Sequence, residues 1–245
     1  MSSLIQTQAI VLSKIKFSDT SKIIQLYTKE LGRIPVILKG GRDKSSKAGT
    51  ITDPLNMIEV MIYNKESREV QTLGNCELIN HFGNIREDYD KTIYALAVLE
   101  LVKELTHEYE QNDRLFRGVT KILEKFESGS EHPLILFGRF YVFLLEILGY
   151  ELQLDHCSIC GNLISTGESL KFKFNSGVIC GICSTKNFDS VFITPELYHL
   201  LLCLKMGKKI ENSNSNWGKL LQSFLESYTK SHVESYKGLT SLRMF

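Results

Sequence analysis

The sequence predicts an α+β protein: a small N-terminal β-barrel, then an α-helical domain with a four-cysteine zinc ribbon inserted in it. Three observations predict it. Short β-type runs separated by turn clusters fill the chain up to Leu78. After Leu78 the apolar period changes from strand-like to helical. Two C-x-x-C pairs then interrupt the helical part. The boundaries read as 1–79 for the barrel and 80–245 for the helical domain, with the ribbon at 155–186.

The strand runs fall at residues 9–12, 23–27, 34–38, 57–63 and 70–73, all rich in Ile, Val, Leu and Tyr. Turn formers such as Ser18-Asp19-Thr20-Ser21, Gly40-Gly41 and Thr52-Asp53-Pro54 separate them. In residues 57–63, Ile58, Val60 and Ile62 alternate with Met57, Glu59 and Met61, as a strand with one buried face requires. Five short strands suit a Greek-key barrel of the OB type; an SH3-like barrel fits the same pattern. Further on, Ala95, Val98, Leu99, Val102 and Leu105 share one helical face. So do Leu115, Val119, Ile122, Leu123 and Phe126, and then Leu136, Phe140, Phe143, Leu144 and Ile147. Asn112-Asp113 can cap the second of these helices, and Pro133 suits the first turn of the third. Thr194-Pro195-Glu196 opens a helix carrying Leu197, Leu200, Leu201 and Leu204. A last helix carries Trp217, Leu220, Leu221, Phe224, Leu225 and Tyr228.

Over 245 residues, 29 Lys+Arg stand against 28 Asp+Glu, and 43% of residues are hydrophobic. This composition excludes extended disorder and fibrous repeats. The near-neutral total hides an asymmetry. Residues 1–50 hold nine basic and three acidic side chains, whereas residues 81–150 hold eight basic and twelve acidic. A basic face on a small barrel can track a phosphate backbone. The densest segment is Lys39-Gly40-Gly41-Arg42-Asp43-Lys44-Ser45-Ser46-Lys47. It lacks the G-x-x-x-x-G-K-[ST] spacing of a nucleotide loop.

Cys157-Ser158-Ile159-Cys160 and Cys180-Gly181-Ile182-Cys183 match the C-x₂-C-x₁₅₋₂₀-C-x₂-C zinc pattern. Two thiolates two residues apart can grip one ion from a tight turn, and two such turns complete a tetrahedral site. Between them, Leu170-Lys171-Phe172-Lys173-Phe174 alternates as a strand and Asn175-Ser176-Gly177 reads as a turn. The expectation is one structural Zn2+ on Cys157, Cys160, Cys180 and Cys183, with no open position for catalysis. Cys76 and Cys203 read as buried structural thiols.

No G-x-S-x-G, H-E-x-x-H or G-x-G-x-x-G occurs, and the six histidines are scattered. The chain reads as a binding protein, not an enzyme. The amino end lacks a signal-peptide pattern, and the apolar stretch at 134–150 is too short and too interrupted for a bilayer. A cytoplasmic protein without a membrane partner is expected.

In this order, the features resemble the bacterial recombination mediator family RecO. The resemblance is carried by Thr7-Gln8-Ala9-Ile10-Val11-Leu12, by Asp19-Thr20-Ser21-Lys22-Ile23-Ile24 and by Tyr27-Thr28-Lys29-Glu30-Leu31-Gly32. Leu38-Lys39-Gly40-Gly41-Arg42, and Phe143-Leu144-Leu145-Glu146-Ile147-Leu148-Gly149-Tyr150 leading into Cys157, continue it. It implies an OB-fold that binds single- and double-stranded DNA and anneals complementary strands. It also implies work with RecR and, indirectly, RecA on DNA coated by single-strand-binding protein, whose C-terminal tail would dock on the helical domain. The expected place is the cytoplasm, at the nucleoid. On this resemblance, Lys14, Lys16, Lys22, Arg33, Lys39, Arg42, Lys44 and Lys47 are the expected DNA contacts. The readings that compete with it are a zinc-ribbon protein–protein adaptor and an RNA-binding OB-fold protein.

Overall fold

A computed structural model describes residues 2–43, 46–164, 170–185, 190–210 and 217–243. The chain forms two compact units, one of residues 1–133 with 239–245 and one of residues 134–238. The first therefore contains helices as well as the barrel.

In the first unit, β1 (Ser2–Lys16), β2 (Lys22–Thr28), β3 (Gly32–Leu38), β4 (Met57–Lys65) and β5 (Gln71–Asn80) close a barrel in the order β1-β2-β3-β5-β4. β1 pairs with β2 through its second half and with β4 through its first half, and so closes the ring. β3 and β5 pair in parallel at Val36–Gln71 and Ile37–Thr72. This is the OB-type connection, so the SH3-like alternative falls away. Ala9, Val11, Ile24, Leu26, Ile34, Val36, Leu38, Ile58, Val60, Ile62, Leu73 and Cys76 fill the interior. Each fully buried aliphatic of this kind contributes on the order of 1.5–3 kcal/mol.

β1 is longer than the apolar run 9–12, and β5 extends past 70–73 to Asn80. Both were foreshortened in the sequence because polar side chains occupy outward positions on them. The sequence pattern also missed α1 (Lys47–Ile51), one short turn capped by Ser46, whose Oγ accepts from the Gly49 N–H. Ala48 and Ile51 of α1 pack against the barrel core and stopper one mouth.

The short pairing with β5 leaves the start of β3 to be covered by a later segment. Tyr109 donates its N–H to the Arg33 carbonyl at 3.0 Å, and Arg33 bridges Glu108 in parallel fashion. Then α2 (Gly83–Glu87), α3 (Tyr89–Leu105) and α4 (Asp113–Ser128) complete the unit. Asp88 and Asn112 cap α3 and α4 by accepting from the N–H groups of Lys91 and Leu115. The expected inward faces of both helices are buried. Glu100 of α3 accepts from the N–H and hydroxyl groups of Thr240 and Ser241, tying the chain's end to this unit.

The second unit holds α5 (Pro133–Ile147), α7 (Pro195–Met206) and α8 (Trp217–His232). Gly138 lets α5 approach closely, since a Cβ there would lie 2.9 Å from Leu221 and 3.0 Å from Leu204. The ribbon comprises β6 (Leu170–Lys173), β7 (Gly177–Ile179), the short helix α6 (Gly181–Ser184) and β8 (Val191–Ile193), with the sheet order β7-β6-β8. The third strand, β8, was not expected. Among the described residues, no helix is long and apolar enough to cross a membrane.

Gly32 tests the joint between β3 and the 106–111 segment. Its φ is +65°, and a Cβ would lie 2.0 Å from the Glu110 carbonyl oxygen. Gly32→Ala is expected to destabilise the first unit by about 2 kcal/mol or more, from left-handed strain plus the clash. Gly83→Ala, whose Cβ meets nothing within 4 Å, is the control. Denaturant midpoints of the two variants measure the difference.

Candidate metal centre and basic barrel mouth

The four ribbon cysteines meet as their spacing predicts. Their sulfur atoms all lie within 4.8 Å of one another, and Cys160 Sγ is 3.9 Å from Cys180 Sγ. The first pair sits on a tight turn: the Gly161 N–H donates to the Cys157 carbonyl at 2.9 Å, and Gly161 has φ +75°. The second pair starts the α6 turn, where the Ser184 N–H reaches the Cys180 carbonyl at 2.9 Å. The Cys180 N–H donates to Cys157 Sγ at 3.4 Å.

These contacts tune the thiols. Burial opposes charge on Cys157, but N–H groups of Cys160, Cys180 and Ile159 outweigh it and lower its pKa to about 6. Cys183 is raised instead, first by its hydrogen bond to Cys180 and then by burial and the other sulfurs. Four thiols this close cannot all ionise without a cation between them. The donor set thus suits a thiophilic metal ion: four protein ligands with no position left over. The two other cysteines behave differently. Cys76 lies in the barrel core, where burial raises its pKa, and Cys203 is buried in α7.

The basic residues gather by strand register. β1 shifts register between Val11 and Ser13, a bulge that adds one residue. Before it, Ala9 and Val11 face inward. After it, Lys14 pairs with Ile24 and Lys16 with Lys22, so Lys14 and Lys16 join the inward-facing rows. Lys22 is opposite Leu38, and Lys39 follows directly. Lys14, Lys16, Lys22 and Lys39 therefore meet at the mouth that α1 stoppers.

Several of these cations are already engaged. Lys14 pairs with Asp53, and its pKa is lowered by burial first and then by the charges of Lys22 and Arg86. Lys22 donates to the Gly49 carbonyl of α1 at 3.3 Å. Arg42 donates through its guanidinium to the Ser18 carbonyl and through its N–H to the Thr20 carbonyl, clamping the β1–β2 turn. Lys16, Lys39 and Lys47 are exposed. Lys44 lies outside the described residues.

Arg33 is not part of this group. It sits at the opposite end of β3, about 17 Å from Leu38 at the usual strand rise. There it donates to the Thr106 carbonyl and pairs with Glu108, both at 3.1 Å. Conversely, Arg86 was not singled out from the sequence. Its guanidinium binds the carbonyls of Pro54 and His81 and the Asn56 side chain beside the same mouth. A lone Arg in an acidic stretch carries no signal of that position.

Residues 1–82 match the family profile described as Recombination protein O N terminal, and residues 86–242 match Recombination protein O C terminal. The DNA repair protein RecO of Prosthecochloris aestuarii is 31% identical over 183 residues, covering 72% of this chain and 69% of its own length. RecO of Thermoanaerobacter sp. (strain X514) is 30% identical over 189 residues, covering 76% and 74%. RecO of a Listeria monocytogenes serotype 4b strain is 26% identical over 232 residues, covering 95% and 89%.

The thiol cluster yields a direct test. Cys160→Ala is expected to lower bound metal from about one equivalent per chain and to expose the two cysteine turns within residues 150–190 to proteolysis, as loss of a structural ligand should. Elemental analysis of protein purified without chelator, with limited proteolysis, measures both. Wild-type protein free of any stoichiometric metal would refute the assignment.

Proposed function

The chain belongs to the RecO family of DNA repair proteins, and from that premise we propose that its barrel mouth binds single- and double-stranded DNA. In this reading the protein anneals complementary strands and, with RecR, helps RecA onto strands coated by single-strand-binding protein. The observation that carries the reading is the convergence of Lys16, Lys22, Lys39, Arg42 and Lys47 on one mouth of an OB-type barrel. Phosphates bound there release counterions, which supplies affinity without reading sequence. A surface that offsets phosphate charge on two strands also reduces the repulsion that slows their pairing.

The division of labour among the cations follows from their partners. Lys14, Lys22 and Arg42 hold α1, the 53–54 turn and the β1–β2 turn in place, and Lys16, Lys39 and Lys47 are available for phosphates. Arg33 is left out of the DNA site.

The cysteine cluster in this reading holds one Zn2+, a structural ion that fixes the ribbon; all four positions are thiolates. The work is binding and exchange of partners, with no bond broken, so the protein is not an enzyme. It acts in the cytoplasm, at the nucleoid. The C-terminal tail of single-strand-binding protein docks on the helical domain.

The test is annealing of complementary strands precoated with single-strand-binding protein. Acceleration by the wild-type chain is expected, and none would sink the mediator reading. In parallel, the double variant Lys16→Ala/Lys39→Ala should flatten the salt slope of single-strand binding by about 1.4, at roughly 0.7 per phosphate contact. An unchanged slope would remove these lysines from the site.

A further inference from the structure

The outside of the barrel carries a feature that phosphate binding leaves unused. Strand register sets up one outward-facing row that crosses every strand. Ile15 pairs with Ile23, Ile23 with Ile37, Ile37 with Thr72, Thr72 with Tyr63 and Tyr63 with Leu4. The neighbouring rows point inward, so this one faces solvent. From Ile15 to Tyr63 it spans four strand gaps, about 19 Å along the curved sheet at ~4.8 Å per gap.

The row is open at its ends and half-buried at Ile23, Ile37 and Thr72. Ile15 is 61% exposed, Tyr63 51% and Leu4 55%; Phe17, two residues beyond Ile15 on the same face, is 60% exposed. A third barrel aromatic, Tyr27, is 1% exposed and stacks on Phe116, so it is packing and not surface.

The Tyr63 ring is held against the sheet, and Phe17 stands on a fixed turn. Gly74 lies two residues beyond Thr72 on β5, and a Cβ there would meet the Tyr63 ring at 2.9 Å. The missing side chain lets the Tyr63 ring lie down over the β5 backbone, with its other face to solvent. Phe17 sits at the start of the β1–β2 turn, where its N–H donates to the Ser21 carbonyl and the Ser21 N–H donates to Ser18 Oγ. Arg42 clamps the same turn. An exposed aromatic on a rigid support is costly for a surface with no occupant.

Its neighbours name the occupant. The row next to Ile15–Ile23–Ile37 is Lys16–Lys22–Leu38, which turns into the barrel mouth; at its rim Lys16 and, after Leu38, Lys39 are exposed. A curved strip with an exposed ring toward each end and exposed cations at one rim fits a chain of flat π-faces joined by phosphates. We propose that the outward row between Phe17 and Tyr63 is a base-stacking track for unpaired nucleic acid, with bases on the two rings and phosphates on the lysine rim. This rests on the DNA-binding reading and extends it. The mouth cations accept single and double strands alike, and the rings select strands whose bases are free.

The full-length chain tests this with two probes, an oligothymidylate and a hairpin duplex, each titrated at several salt concentrations. Tyr63→Ala and Phe17→Ala should each weaken oligothymidylate binding roughly five- to 150-fold, the range base–aromatic stacking supplies. Duplex affinity and both salt slopes should stay at wild-type values. Tyr63→Phe and Phe17→Tyr keep the rings and should keep the affinity. Unchanged oligothymidylate binding by both alanine variants would overturn the track. Equal losses on both probes would overturn it too, because paired bases cannot stack on the rings. A wild-type chain that binds neither probe at low salt would instead sink the DNA-binding reading, a result distinct from failure of the rings alone.

Discussion

The structure depends on the double pairing of β1. One 15-residue strand runs against β4 with its first half and against β2 with its second. Without it the sheet has two free edges and no interior. With it every strand residue must face in or out, and the bulge after Val11 decides which. Had β1 continued without the extra residue, Lys14 and Lys16 would have pointed outward and Ile15 inward, since a one-residue shift reverses faces. The basic mouth and the apolar outer row are thus two consequences of one backbone irregularity. Burial in the barrel supplies the free energy that holds the bulge.

That same irregularity explains what the sequence shows and what it hides. The central strands were legible because β2 and β3 are rich in Ile, Val, Leu and Tyr between turn clusters, and because Ile58, Val60 and Ile62 of β4 alternate with outward neighbours. β1 was legible only at its apolar middle. Its start alternates through Ser, Gln and Thr, and after the bulge its inward positions are lysines, which reverse the expected hydrophobic sign. β5 was cut short at the point where Gly74 and Asn75 interrupt its pattern, yet Gly74 is there because the Tyr63 ring lies over it. α1 is one turn long and has no period to detect, and β8 is three residues. The four-thiol cluster was the most legible feature because its geometry is local. Two residues between ligands fix each turn, whatever the rest of the chain does.

Charge was the least legible quantity, for the opposite reason. Counting cations over residues 1–50 found the basic half but gave each Lys and Arg equal weight. The structure separates them by partner. Arg33 is 11 residues along the chain from Lys22, yet β2 and β3 turn back on each other between them, and it ends at the far end of the barrel joining Thr106 and Glu108. Lys14 and Lys22 are spent on Asp53 and on the Gly49 carbonyl. Nothing in a linear charge pattern distinguishes a cation that holds a loop from one that meets a ligand. Only the identity of its nearest oxygen does.

The thiol cluster of the ribbon is not the keystone of its unit. Its base is held by carbon. Phe172 meets Phe224 at 5.1 Å and Tyr228 at 5.9 Å, and Phe174 meets the same two rings, which joins β6 to α8. The outer edge of β7 is held by backbone hydrogen bonds, from the Val178 N–H to the Gln153 carbonyl and from the Ser158 N–H to the Val178 carbonyl. Only the tip, where Cys160 and Cys183 sit, depends on sulfur. Free energy from an ion bound there stabilises the two cysteine turns directly and reaches the helices only through β6 and β7. A ribbon so built stays attached with or without an ion at its tip, whereas the barrel cannot lose β1 and remain closed.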